Sequence, residues 1–181
     1  MSLRMRLRTE TRAAHEQLDH IADGLDLTMR RDYIRFLLAH RRAYAALHAA
    51  RIGLTDLLAR RISQVDQDLA HFDIDATADA TEDLPIDPDI EMIGLSYVIL
   101  GSHLGAVQIA KQVGRSDDLS LRAATTMLTD QTLAPLWRDF VQASRNLPDT
   151  GADADRIILS ATHTFSLFEA AFRSVIDADA A

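Results

Sequence analysis

The 181-residue sequence predicts an all-α bundle, and three observations carry that prediction. Apolar residues recur at three- and four-residue spacing, as in Tyr33, Phe36, Leu37, Tyr44 and Leu47, which is the period of one helical face. No stretch of a strand's length alternates apolar and polar residues with period two. Turn signals such as Asp23-Gly24, Gly53 and "NLPDTGAD" separate the periodic stretches.

The elements follow in chain order. Leu3 to Ile21 reads as one helix, stopped by Asp23-Gly24. Thr28 stands as N-cap to "MRRDYIRFLLAHRRAYAALHAARI", because its hydroxyl can take an orphan N–H of the first turn. After Gly53, Leu54 to His71 resumes a helix. Residues 72–88, "FDIDATADATEDLPIDP", are acidic with two prolines and read as the longest loop. Asp87 as N-cap and Pro88 at the first helical position then open an apolar helix running to about Gly114. Leu119 to Asn146 is helical, and Pro135 predicts a kink or break near Leu133. Ala154 to about Ile176 closes the fold, and residues 177–181 read as a frayed tail. Residues 1–181 together read as a single domain.

Composition narrows the function. Hydrophobic residues at 48% and charged residues at 25% are the mix of a soluble globular protein with a real core. The absence of cysteine excludes disulfides, thiolate metal sites and cysteine nucleophiles. No run of apolar letters reaches the roughly 20 residues that span a bilayer, and the N-terminus lacks a secretory pattern. No membrane span and a cytoplasmic address are therefore expected. The formal net charge is −8, yet Met1 to Arg61 carries a balance of +5 against −13 for the remainder. That asymmetry points to a local basic surface able to hold an anion. With 6% aromatic residues and an acidic total, the sequence offers nucleic acid little to bind. Phosphate loops, HExxH and Glu-x-x-His pairs are all missing, which sets aside several enzyme classes, carboxylate-bridged di-iron bundles among them.

Two stretches suggest chemistry. In "GLSYVILGSHLGAVQIAK", Gly101 and Gly105 stand four apart in an apolar helix, where each glycine costs about 1 kcal/mol against alanine. Either another helix packs closely there or a flat ligand lies on the bare face. In "LRTETRAAHEQLD", Arg8 and Arg12 precede His15 by seven and three residues. On a continuous helix these share a stripe, which reads as a solvated basic face or as a site for a metal-containing dianion. Spacing alone leaves both pairs of alternatives open.

Four segments resemble the heme oxygenases in order and separation, from Leu3 to Val175. "RLRTETRAAHEQLD" is similar to their first helix, which bears the axial histidine, and "SYVILGSHLGAVQIAK" to the distal helix of the bacterial form. "LAPLWRDF" and "ATHTFSLFEAAF" resemble a propionate-binding segment and the closing helix. The resemblance implies a heme oxygenase-like fold and His15 as iron ligand. It further implies Arg8, Arg12 and Arg138 near the propionates, Gly101, Ser102 and Gly105 over the iron with Leu104 beside them, and Phe165 and Phe168 as pocket walls. Ser102 departs from the mammalian pattern, which has an aspartate there, and His103 is an unexpected neighbour that could reach the iron.

The implied activity is oxidative cleavage of heme to biliverdin, carbon monoxide and ferrous iron, with heme as substrate and cofactor. Dioxygen and an electron donor such as a ferredoxin or flavoprotein reductase are needed, and Arg30, Arg31, Arg41 and Arg42 are candidate docking residues. A heme-binding or sensing module without ring cleavage is one alternative, motivated by His103. A cofactor-free helical interaction domain is the other.

Overall fold

The structure, a computed structural model, describes residues 2–76 and 84–178. Among these, nine helices form: α1 (Leu3–Glu10), α2 (Arg12–Ala22), α3 (Arg30–Ala49), α4 (Thr55–Ala70), α5 (Met92–Gly101), α6 (His103–Val113), α7 (Leu119–Ala123), α8 (Leu133–Ser144) and α9 (Ala152–Ala178). The spine is α9. Helices α1, α2, α3 and α5 pack on it, α4 packs on α3, and α8 lies against α5. Its apolar positions, among them Ile158, Ala161, Phe165, Phe168, Phe172 and Val175, recur at helical spacing and are buried.

The single first helix expected from the sequence is bent. Thr11 lies between α1 and α2 at φ −93° and ψ 0°, and its hydroxyl donates to the Leu7 carbonyl at 2.7 Å. Such back-bonding by threonine competes with the helical ladder. The bend keeps Leu3 and Leu7 fully buried, each stabilising the fold by roughly 1.5–3 kcal/mol, while α2 buries no residue completely. Arg6 adds a tie to the start of α9, donating to the Asp149 carbonyl at 2.6 Å and to Asp155 at 2.9 Å.

Thr28 does not cap α3. Its N–H and hydroxyl both donate to Asp26 Oδ1, at 3.0 and 2.7 Å, in an Asx turn, and Met29 takes the cap position. Nor does Asp87-Pro88 open a helix. The Asp87 carboxylate accepts the Asp89 N–H at 2.8 Å and lies 2.5 Å from His163 Nδ1, so the pair forms a turn held to α9, and α5 begins at Met92. The segments 72–76 and 84–88 lie outside the helices; the acidic centre of the expected loop, 77–83, falls outside the described residues, as do 179–181. The tail is shorter than expected, because α9 continues to Ala178.

The apolar helix after this turn is two helices, parted at Ser102, whose hydroxyl donates to the Ile99 carbonyl at 2.8 Å. Met92–Val113, 22 residues with an 18-residue window of mean hydropathy 1.5, is long and apolar enough to cross a bilayer by length and composition alone; in this fold 33% of that window is buried. The helix expected from Leu119 to Asn146 is likewise two, with residues 124–132 outside both. The break expected near Leu133 is present: α8 begins at Leu133, and Pro135 sits in its first turn, where its missing N–H costs nothing. The connector is fixed from α4. Buried Asp68 accepts the Thr126 and Met127 N–H groups at 2.7 and 2.9 Å, and Arg61 donates to the Met127 carbonyl at 2.9 Å.

Candidate functional site

His15 projects from α2 with its side chain 56% exposed. Asp19, one turn on, lies 2.8 Å from His15 Nδ1, and the ring stands edge-on to Phe165 of α9 with centroids 5.3 Å apart. A carboxylate on Nδ1 fixes the tautomer with the proton there, which leaves Nε2 as an unclaimed lone pair. Arg12 turns away. It pairs with Glu16 at 2.6 Å and is 73% exposed. The bend at Thr11 thus splits the expected stripe, leaving Arg8 on α1 and His15 on α2.

Arg8 joins a different group. Tyr97 of α5 is half-buried, with its phenol bonded to Thr11 and within the field of Arg8 and Arg4. Burial pushes the phenol up, and the Thr11 bond and both guanidiniums oppose it. Arg4 and Arg8 are exposed, one turn apart on α1, and neither is engaged in an ion pair among the described residues. Two cations and a phenol at one corner suit a carboxylate.

The glycines separate into two kinds. A Cβ on Gly94 would come within 2.4 Å of the Ile157 carbonyl oxygen and 2.8 Å of the Ala161 nitrogen, so α5 and α9 pack there backbone to backbone. A Cβ on Gly101 would meet only the Trp137 indole, at an ordinary 3.5 Å, and one on Gly105 would meet nothing within 4 Å. Close helix packing therefore explains Gly94 and not the Gly101/Gly105 pair. Beside them, Leu104 and Val107 are 64% and 60% exposed, unusual for large apolar groups on one helix. Helix α2 lies on α9, α6 continues from α5, and neither of the two packs substantially on the other. His103 is committed elsewhere: Nδ1 lies 2.6 Å from the Leu100 carbonyl and the ring packs on Trp137.

Other expected residues fall as follows. Phe165 touches His15, whereas Phe168 packs against Tyr44 and His40 of α3. Arg138 is exposed on α8, next to Trp137. The arginines expected to dock an electron donor are largely engaged within the chain. Arg30 pairs with Asp118 at 2.8 Å, buried Arg41 with Asp66 at 2.5 Å, and Arg42 donates to Ser174. Guanidiniums neutralised this way make a poor cationic patch. A cavity of about 750 Å³ lies between the start of α4, α5 and α8, lined by Leu57, Leu100, Leu136 and Phe140 with Asp56 and Asp139; it includes none of the expected site residues.

No family model matches the sequence, and no curated protein matches it. Among solved structures, the NO- and CO-bound heme oxygenase from Neisseria meningitidis is similar at a TM-score of 0.73, with 21% identity over 97% of this chain and 92% of that one. The chain has the heme oxygenase fold. The all-α class and the likeness to heme oxygenases expected from the sequence are both borne out. Within the heme oxygenase fold, three residues of the candidate site escaped the sequence reading: Asp19, Arg4 and Tyr97. Each had a signal, since Asp19 follows His15 by four, Arg4 precedes Arg8 by four and Tyr97 precedes Gly101 by four.

Proposed function

We propose that the chain binds heme between α2 and α6 and opens it oxidatively to biliverdin, carbon monoxide and ferrous iron, using dioxygen and electrons from a separate redox protein. The observation that carries this reading is His15, with Nδ1 held by Asp19 and Nε2 unclaimed at the edge of Phe165. The residues present suit the substrate. Imidazole takes the iron, Arg4, Arg8 and Tyr97 receive propionates, and Leu104, Val107 and Phe165 offer apolar contact to a porphyrin. Arg138 is placed to meet a propionate that extends toward α8.

Heme supplies the iron on which dioxygen is reduced, and the protein supplies position, proton access and exclusion. A neutral histidine on one face leaves one coordination position open toward α6. The bare face of Gly105 allows close approach of the helix backbone to the ring, with Trp137 bordering that space at Gly101. Ser102 has already donated its hydroxyl proton to Ile99, so its oxygen remains an acceptor for water at the bend. This water-holding role replaces a carboxylate at that position. His103 is held through Nδ1 by the Leu100 carbonyl, with its ring beside Trp137, and whether its Nε2 reaches the iron separates turnover from a six-coordinate sensing state.

Purified protein titrated with hemin should develop a Soret band, and His15→Ala should abolish or change its axial ligation. Reductant and dioxygen should then convert that band to biliverdin absorption with release of carbon monoxide. Tight hemin binding unaltered in His15→Ala would remove the ligand assignment. Bound heme that persists unchanged through reduction and oxygenation would overturn the enzyme reading.

A further inference from the structure

Trp137, the single tryptophan of the chain, stands half-buried where α8 meets the end of α5. Its indole stacks on Phe140 at 5.5 Å with an interplanar angle of 18°, and lies 5.9 Å from the Tyr97 ring and 6.1 Å from the His103 ring. The same indole lies over the side of Gly101 where a side chain would project, so that a Cβ added there would meet it at 3.5 Å. Trp137 is therefore a rigid flat group at the bend between α5 and α6, joined through Tyr97 to the guanidinium corner of Arg4 and Arg8.

We propose that Trp137 is a specificity-determining wall: it limits rotation of the bound porphyrin about the His15–iron axis, and so decides which meso carbon faces the bend at Ser102. The inference rests on the reading of this site as heme-cleaving. A porphyrin core is close to fourfold symmetric, so a single axial ligand fixes where the iron sits without fixing the rotation about it. Each quarter turn presents a different meso carbon to the same point. Only the propionate edge breaks that symmetry. Exposed arginines hold such an edge loosely, because long side chains follow a displaced carboxylate at little cost. An indole packed against both Phe140 and Tyr97, which also touch each other, does not follow, since moving it breaks aromatic packing with both. Because Tyr97 packs on the indole and lies within the field of Arg4 and Arg8, the wall stands beside the place where the propionates are proposed to dock. Rotation toward α8 drives the ring edge into Trp137. Trp137 acts through the orientation of the substrate and takes no part in the bond-making, so it is a positioning residue.

The test compares the full chain with Trp137→Phe and Trp137→Ala, each reconstituted with hemin. Proton NMR of the resting ferric complexes reports ring orientation without turnover, and chromatography of the biliverdin reports the isomer ratio. Trp137→Ala should add a further set of heme-methyl resonances relative to the wild type and shift the isomer ratio by about tenfold, the scale of one lost apolar contact in a pocket. Trp137→Phe, which keeps a flat wall, should stay close to the wild type on both readouts. Trp137→Leu serves if the alanine variant does not fold. A folded alanine or leucine variant with one unchanged orientation and an unchanged isomer ratio would overturn the wall. Failure of the wild type to bind hemin would instead overturn the site reading on which the wall rests.

Discussion

Helices α5 and α6 follow one another in a single apolar stretch of sequence and live in opposite surroundings. Helix α5 buries Gly94, Leu95, Ser96, Val98, Ile99 and Leu100 between α9 and α8. Helix α6 buries only Val113, rests Ala106, Ile109 and Ala110 partly on the main core, and leaves Leu104 and Val107 in the open. Both carry glycine, for different reasons. Gly94 is where a backbone must pass another backbone, and Gly105 is where none of the described residues arrives. The lesson is that a glycine's neighbours decide its meaning. The four-residue spacing of Gly101 and Gly105 left helix packing and a flat ligand both open, and the glycine that packs backbone to backbone is Gly94.

The sharpest test of this contrast is Gly94→Ala. The added methyl has no room against the Ile157 carbonyl and the Ala161 nitrogen, and backbone on both sides cannot step aside as a flexible side chain would. Overpacking of this kind outweighs the gain in helix propensity, and a net loss of about 3 kcal/mol is expected. Thermal unfolding should show it as a fall in Tm of roughly 6–12 °C for a chain of this size. An unchanged Tm would mean that α5 does not sit on α9 as described.

Much of the fold was legible in the sequence, because amphipathic periodicity is a local signal that core packing reinforces. The errors fall where a side chain prefers a local partner to the helix. Thr11 bonds back to Leu7, Asp26 takes Thr28, and Asp87 is claimed by Asp89 and His163. These partners lie outside the reach of periodicity, and two of the three move a helix boundary. In the candidate site, His15 and the bare glycines were legible as residue types. The pairing of Arg8 with Tyr97 was not, since it needs α1 and α5 to meet through the tertiary fold. Arg12 shows the converse, for it shares α2 with His15 as its position suggested, yet its guanidinium pairs with Glu16.

His40 marks the edge of the close-packed region. Its ring sits among Phe36, Tyr44, Phe168 and Phe172, with Nδ1 2.9 Å from the Phe36 carbonyl, and burial pushes its pKa down from 6.5 to about 4. The Phe36 carbonyl opposes that shift and Arg61 adds to it. Between these values the unfolded chain binds a proton that the folded chain refuses, so stability is full above pH 6.5 and declines as pH falls toward 4. The ring is partly exposed, so the decline attributable to it is about 1–2 kcal/mol. Denaturant unfolding of His40→Phe across that range should show a flatter pH dependence than the wild type. Equal slopes would mean that the ring is solvated, and that the open region reaches deeper than α6.

The smallest effect on stability belongs to Gly105→Ala, and its sign is what matters. A methyl there meets no atom of the chain within 4 Å, so only the helix propensity changes, and the unliganded protein should gain about 0.5–1 kcal/mol. Gly101→Ala, in ordinary contact with Trp137, should change stability less than Gly94→Ala by a wide margin. The same Gly105 methyl should weaken hemin binding, because the open space beside residue 105 is where the porphyrin is proposed to lie. Paired measurements, unfolding without hemin and a hemin titration by Soret absorbance, separate the two effects. Stabilisation with undiminished hemin affinity would place the ligand away from α6. Destabilisation would show that some part of the chain closes over Gly105, and the contrast between the two helices would then disappear.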